Sequence, residues 1–207
     1  MTRAAFSPPI AIGFATLVAL TIVAGAFLAN GGWTAEGAAA AARLTARASF
    51  LWFVTAWSAS ALARLWPGGW RTWLLRRRRS VGLAFAATHT IHLAALLTAI
   101  LLFGRTTHSV TVIGGGIGYV FVFAMAITSN DASVRRLGPR RWHLLHATGG
   151  YVIAGIFAFS YLGRVPHNPA LGVPMLSLLG LAALLRILAW SSNRRRGRSA
   201  QLQPLSR

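Results

Sequence analysis

The chain has 207 residues, 55% of them hydrophobic and only 11% charged, with a formal net charge of +19. A soluble domain carries about 25% charged residues, so an ordinary water-exposed globule is excluded. All 21 basic residues are arginine, the only acids are Glu36 and Asp131, and the lack of cysteine excludes disulfides, thiolate nucleophiles and thiolate metal sites.

A membrane span needs about 20 mostly apolar residues. Six blocks meet that length in chain order, at about 9–29, 47–66, 80–103, 109–129, 142–163 and 170–190, and none contains an acid. The sequence therefore predicts an all-α polytopic membrane protein, a bundle of six transmembrane helices filling residues 1–190. Arg3 before the first block and the small residues Ala24-Gly25-Ala26 after it have the look of a signal peptide. The apolar run exceeds the usual core of about 7–15 residues, however, so a retained helix is expected. From Ser191 to Arg207 the chain is polar and basic, which predicts a disordered tail or one lying on lipid headgroups.

The arginines fix the orientation. An even number of spans puts 17 of them, including Arg64, Arg71, Arg76 to Arg79, Arg135, Arg136, Arg140, Arg141 and Arg186, on one side with both termini. Arg43, Arg47, Arg105 and Arg164 remain on the other. By the positive-inside rule the termini are cytoplasmic and the protein is multi-pass in a bacterial-type inner membrane. Blocks of arginine between apolar runs favour anionic membrane lipids as partners and not nucleic acid, despite the basic balance. Trp33, Trp66, Trp70, Trp73, Trp142 and Trp190 fall at the ends of the predicted spans, where an interfacial belt belongs.

The chemistry-bearing residues are histidines. Four of the six lie in two spans, as His89-Thr90-Ile91-His92 in the third and His143-Leu144-Leu145-His146 in the fifth. Ionisable groups inside a membrane are costly and mark a functional site by default. Spans three and five run in the same direction. Counting from Arg79, His92 is thirteen residues in, and counting from Arg136, His146 is ten residues in. Should the fifth helix begin only at Pro139, His146 is shallower. Two histidines at similar depth on parallel helices suit the two faces of a haem. Gly149-Gly150 and the run Gly114 to Gly118 leave room for a flat macrocycle or for a neighbouring helix. Arg79 and Arg141 stand at helix ends where they suit haem propionates. His143 is expected at the interface, and His108 and His167 in exterior loops.

Two stretches carry a family resemblance. Arg78-Arg79-Ser80-Val81-Gly82-Leu83-Ala84-Phe85, with His92 ten residues after the glycine, is one. The other runs from Thr128-Ser129 through Arg135-Arg136-Leu137-Gly138-Pro139-Arg140-Arg141-Trp142 to His146. Over about residues 45–190 they resemble the ferric-reductase-like transmembrane family, most closely its haem-binding membrane subunit of the periplasmic methionine sulfoxide reductase system. The resemblance implies a six-helix bundle that passes electrons from a cytoplasmic flavin or quinol donor to a separate acceptor outside. It gives His92 and His146 haem-iron positions, with His89 the other choice on the third helix. Where the family places a further histidine, thirteen residues after His146, this chain has Phe159, and thirteen after His92 it has Arg105. One haem b is therefore expected, with quinone or flavin reaching it through a partner. Two other readings remain open: a haem-free membrane protein that packs against a partner, and a metal site built from His89, His92, His143 and His146.

Overall fold

The computed structural model describes residues 7–201, and they are helical with short connections. The elements are α1 (Pro8–Ala29), α2 (Ala35–Leu65), α3 (Gly69–Leu97, continued by a π-helical turn over Thr98–Leu102), α4 (Ser109–Ile127), α5 (Asp131–Leu137), α6 (Pro139–Leu162) and α7 (Pro169–Gln201). Residues 202–207 of the expected tail lie outside the described residues. The stretch from Ser191 to Gln201, expected to be disordered or on headgroups, continues the backbone of α7 as helix.

Among the described residues, four helices are long and apolar enough to cross a membrane: α1, α3 with its π-turn, α6 and the first 24 residues of α7. The α4–α5 pair, bent by 104° at its break, makes a fifth if taken as one span. Helix α2 is long enough, but its serines, threonines and arginines keep it below that apolarity. Its position explains why it need not be lipid-grade. It packs on α1, α3 and α7, so much of its surface meets other helices instead of lipid.

Three boundaries differ from the sequence expectation. Helix α2 starts at Ala35, twelve residues before the predicted span. Thr34 caps it by accepting the Gly37 N–H at 3.1 Å, and Glu36 in the first turn complements the helix dipole. Helix α3 starts at Gly69, so Arg76 to Arg79 are helical and not a loop. Arginine is a good helix former, and its long side chain reaches solvent or headgroups from a helix as readily as from a loop. The third difference is at Gly138, whose φ of 76° ends α5. That left-handed conformation suits glycine, and Pro139 then occupies the first turn of α6, where its missing N–H costs nothing.

One apolar core joins five helices: Phe50, Phe53 and Trp57 of α2, Phe85 of α3, Val122 of α4, Ile153, Phe157 and Tyr161 of α6, and Leu179 of α7. Helix α1 attaches differently. Ala11, Ala15 and Ala19 recur every four residues and are fully buried. Ala11 and Ala15 lie against Ala84 of α3, so small side chains bring the backbones close. The outward faces are apolar: Leu28 is 80% exposed, Ile127 73% and Val120 68%. Apolar exposure on this scale marks contact with lipid. The chain is a multi-pass helical membrane protein.

Candidate functional site

The α3 histidines lie together, their rings 5.1 Å apart. His92 Nδ1 is 2.9 Å from the carbonyl oxygen of Ala42 in α2. A carbonyl can only accept, so Nδ1 carries the proton, and in the neutral ring Nε2 presents its lone pair. His89 Nδ1 is 2.9 Å from Ser49 Oγ. Ser49 spends its own proton on the Ala46 carbonyl at 2.9 Å, so it accepts from His89, and again Nε2 is left bare. Both imidazoles are thus held by hydrogen bonds of the kind that orient metal-ligating histidines. His89 is the more enclosed. Phe85 (5.1 Å), Tyr119 (4.9 Å) and Phe157 (5.9 Å) surround its ring in addition to His92.

His146 occupies a different environment. Trp142, one turn earlier on α6, stacks on it at 4.1 Å. Its Nε2 is 3.1 Å from Thr128 Oγ1 at the end of α4. That hydroxyl donates to the Ala124 carbonyl at 2.6 Å, so it accepts the His146 Nε2–H and leaves Nδ1 bare. Trp142 Nε1 donates to the carbonyl oxygen of the same Thr128 at 2.9 Å. Both side chains therefore tie the first turns of α6 to the end of α4.

No hydrogen bond or ring contact joins His146 to the α3 pair among the described residues. Arg78 lies within Coulombic reach of His146, and Arg164 within reach of His92, so the histidines sit toward opposite ends of the bundle. The break at Gly138 explains the offset. Because α6 begins at Pro139, His146 is seven residues into its helix, about 10 Å at 1.5 Å per residue. Phe157, eleven residues beyond His146 on α6, packs on the α3 side instead, its ring contacting both Phe85 and His89.

His146 lines a cavity of about 610 Å³ at the arginine-rich end of the bundle. That volume is within the ordinary range for small-molecule and cofactor sites. Phe53, Phe85, Val122 and Met125 give it apolar walls, and Arg64, Arg78, Arg79 and Arg186 give it a cationic lining. Gly82 and Gly150 line it as well. Two buried donors in this wall, Trp57 Nε1 and Arg186 Nε, have no hydrogen-bond partner among the described residues. Neither Trp57 nor Arg186 stood out as a site residue in the sequence, where Arg186 served only the charge count. The available signal was an arginine inside the sixth apolar block.

The other predicted residues divide. Arg79 lines the cavity, but its guanidinium pairs with Asp131 at 2.9 Å. Arg141 is exposed and away from the cavity lining. Gly149 serves helix packing, since a Cβ there would sit 2.8 Å from Met125 Sδ and 3.0 Å from Phe121 Cδ1 of α4. In the glycine run of α4 only Gly118 is crowded, with Ile156 Cδ1 at 2.9 Å from its virtual Cβ. The four-histidine metal site is not formed: among the described residues, no three His, Asp or Glu come together to hold an ion.

The bundle and its interior define a polytopic membrane protein with oriented imidazoles and an arginine-lined cavity. The chain is 35% identical over 130 residues to the protein-methionine-sulfoxide reductase heme-binding subunit MsrQ of Deinococcus radiodurans, covering 59% of this chain and 63% of that protein. It is 32% identical over 184 residues to the protein of the same name from Azospira oryzae, covering 83% of this chain and 76% of that one. The chain belongs to the MsrQ family. It spans less than two thirds of the Deinococcus relative's length and about three quarters of the Azospira relative's. No protein-family model matches it, and no solved structure does.

Proposed function

We propose that this chain is the haem-binding membrane electron-transfer subunit of a methionine sulfoxide reductase system. It sits in the inner membrane with six spans and both termini cytoplasmic, α2 and the α4–α5 region supplying the spans beyond the four most apolar helices. The observation that carries the reading is the α3 pair, whose Nδ1 atoms are fixed by Ser49 and Ala42 so that both Nε2 atoms are left as bare ligating nitrogens in the bundle interior. The residues fit haem chemically: neutral imidazole donors, apolar walls, and a cationic cavity with unpartnered N–H groups for acidic side arms.

His92 and His146 are the proposed iron ligands of one haem b, which requires α3 and α6 to rearrange on binding, because the two imidazoles stand toward opposite ends of the bundle and only His146 lines the cavity. His92 is preferred to His89 because a single ring neighbours it, where four surround His89. For His146 to ligate through Nε2 it must release Thr128. Haem, when bound, supplies a one-electron couple. The chain's own residues hold the imidazoles in one tautomer, exclude water with the α2–α3–α6 aromatic core, and present arginines to carboxylates. A cytoplasmic flavin or quinol donor and an acceptor on the opposite face complete the electron path.

The test is the absorption spectrum of the detergent-purified chain, oxidised and dithionite-reduced, after expression with haem supplementation. A Soret band and a sharp reduced α band of a six-coordinate haem are expected. A colourless protein would reject the proposal in favour of a haem-free packing partner.

A further inference from the structure

Arg186 lies within the last apolar helix, yet it points its charge into the protein. Its Nη1 donates to the carbonyl oxygen of Trp57 at 2.8 Å. Its guanidinium carbon sits 4.8 Å from the Trp57 ring and 5.2 Å from the Tyr151 ring. These contacts fix the side chain across α2, α6 and α7 but leave Nε–H unsatisfied. Trp57 is only 6% exposed, and its Nε1–H is also unsatisfied. A Cβ at position 150 would sit 3.1 Å from that nitrogen, so Gly150 lets α6 pack closely against the indole edge. All three residues line the same cavity.

Among the described residues no carboxylate pairs with this cation. Of the chain's two acids, Asp131 pairs with Arg79 and Glu36 lies in the first turn of α2, at the end of that helix remote from Trp57. Arg78 brings a second positive charge within Coulombic reach of Arg186. An unneutralised arginine in an apolar helix is costly, and such residues mark ligand or ion sites. Two adjacent orphan donors, one of them charged, match the oxygens of an anion.

We propose that Arg186 Nε and Trp57 Nε1 form an anion-binding site in the cavity wall that takes one acidic oxygen group, a carboxylate or a phosphate. Two sources carry that chemistry: a propionate of the bound cofactor, which rests on the haem reading above, and the phosphate of an anionic phospholipid, which does not.

The experiment uses the full chain in detergent. Wild type, Arg186→Gln and Trp57→Phe are titrated with haemin and with haemin dimethyl ester, whose propionates carry no charge, reading the Soret band. In parallel, retained phosphatidylglycerol is measured by native mass spectrometry. With a propionate in the site, wild type prefers haemin over the ester by about tenfold or more, the scale of one charge-assisted hydrogen bond. Arg186→Gln abolishes that preference, and Trp57→Phe reduces it several-fold. With a lipid phosphate in the site, wild type takes both forms equally but retains phosphatidylglycerol that Arg186→Gln loses. Equal behaviour of wild type and both variants in both arms overturns the site. Trp57→Phe keeps an aromatic ring at the position but removes the N–H together with part of the indole volume, so, with its fold checked by circular dichroism, it decides the matter should Arg186→Gln fail to fold. Absence of any Soret band in wild type rejects the haem reading alone, and the lipid arm then decides the anion site.

Discussion

His92→Ala is the perturbation that most directly probes the α3 pair. It removes the 2.9 Å bond from Nδ1 to the Ala42 carbonyl. That carbonyl lies inside α2 and keeps its helical partner, so it is not orphaned. The lost bond is worth about 0.5–1.5 kcal/mol, and one ring contact, with His89, goes with it. Losing an aromatic pair adds about 0.5–1.5 kcal/mol, so the fold should lose less than about 3 kcal/mol and persist. His89→Ala removes the Ser49 bond and four ring contacts at once, so by the same scale it costs about 2.5–7.5 kcal/mol. Thermal unfolding in detergent, followed by circular dichroism, should rank His89→Ala well below His92→Ala. The optical spectrum should do the reverse, with His92→Ala losing the six-coordinate signature while its fold survives. If His92→Ala kept an unchanged spectrum and His89→Ala lost it, His89 would be the ligand. If neither variant altered the spectrum, α3 would donate no ligand and the proposed site would be wrong.

Three further outcomes follow from the same geometry. Phe159→His should leave the haem-to-protein ratio unchanged in a pyridine haemochrome assay, because position 159 is 66% exposed on the outer face of α6; a doubled ratio would mean that the face turns inward. Asp131→Asn should move the thermal midpoint by no more than about 1 kcal/mol equivalent, since the Arg79–Asp131 pair is exposed on both sides; a larger loss would show that the pair is shielded. Gly149→Ala should destabilise by about 1–3 kcal/mol through its clash with Met125 and Phe121, while Gly115→Ala, where a Cβ meets nothing, should be within about 0.5 kcal/mol. Equal melting of the two variants would refute the assignment of Gly149 to helix packing.

The membrane character was legible because length and apolarity are local properties, and α1, α6 and the apolar part of α7 fall close to where the hydropathy puts them. Helix α2 was half hidden. Its first turns are an alanine-rich stretch followed by Arg43 and Arg47, polar enough to read as a loop, yet the alanines are buried against α1 and α3. A buried helix takes its environment from its neighbours, which hydropathy does not see. The depth of His146 depended on one dihedral, the left-handed Gly138, and the Gly138-Pro139 pair was the only sign of it in the sequence. The histidine pairs were visible as types and spacings. Their tautomers were not, because these depend on whether Ser49 and Thr128 have already spent their protons on helix carbonyls. The site at Arg186 was masked by its use in the topology count: an arginine counted toward one side of the membrane serves that count equally well when its side chain turns inward.

The charge distribution around the cavity bears on what it accepts, whatever the iron ligands prove to be. Four arginines and one aspartate line it, and the aspartate is engaged by one of the four. Low-dielectric walls of Phe53, Phe85 and Val122 concentrate the resulting positive field in place of screening it. A neutral quinol gains little from that field, and its oxygens are weaker acceptors for Arg186 Nε–H and Trp57 Nε1–H than a charged acidic oxygen. A flat apolar molecule with carboxylate or phosphate arms satisfies the walls and the donors together, so the cavity discriminates by charge before it discriminates by shape. On this argument a quinol donor, if the system uses one, docks elsewhere on the bundle, and raising salt should weaken occupancy of the cavity far less than it weakens attachment of the exposed arginines to anionic lipid.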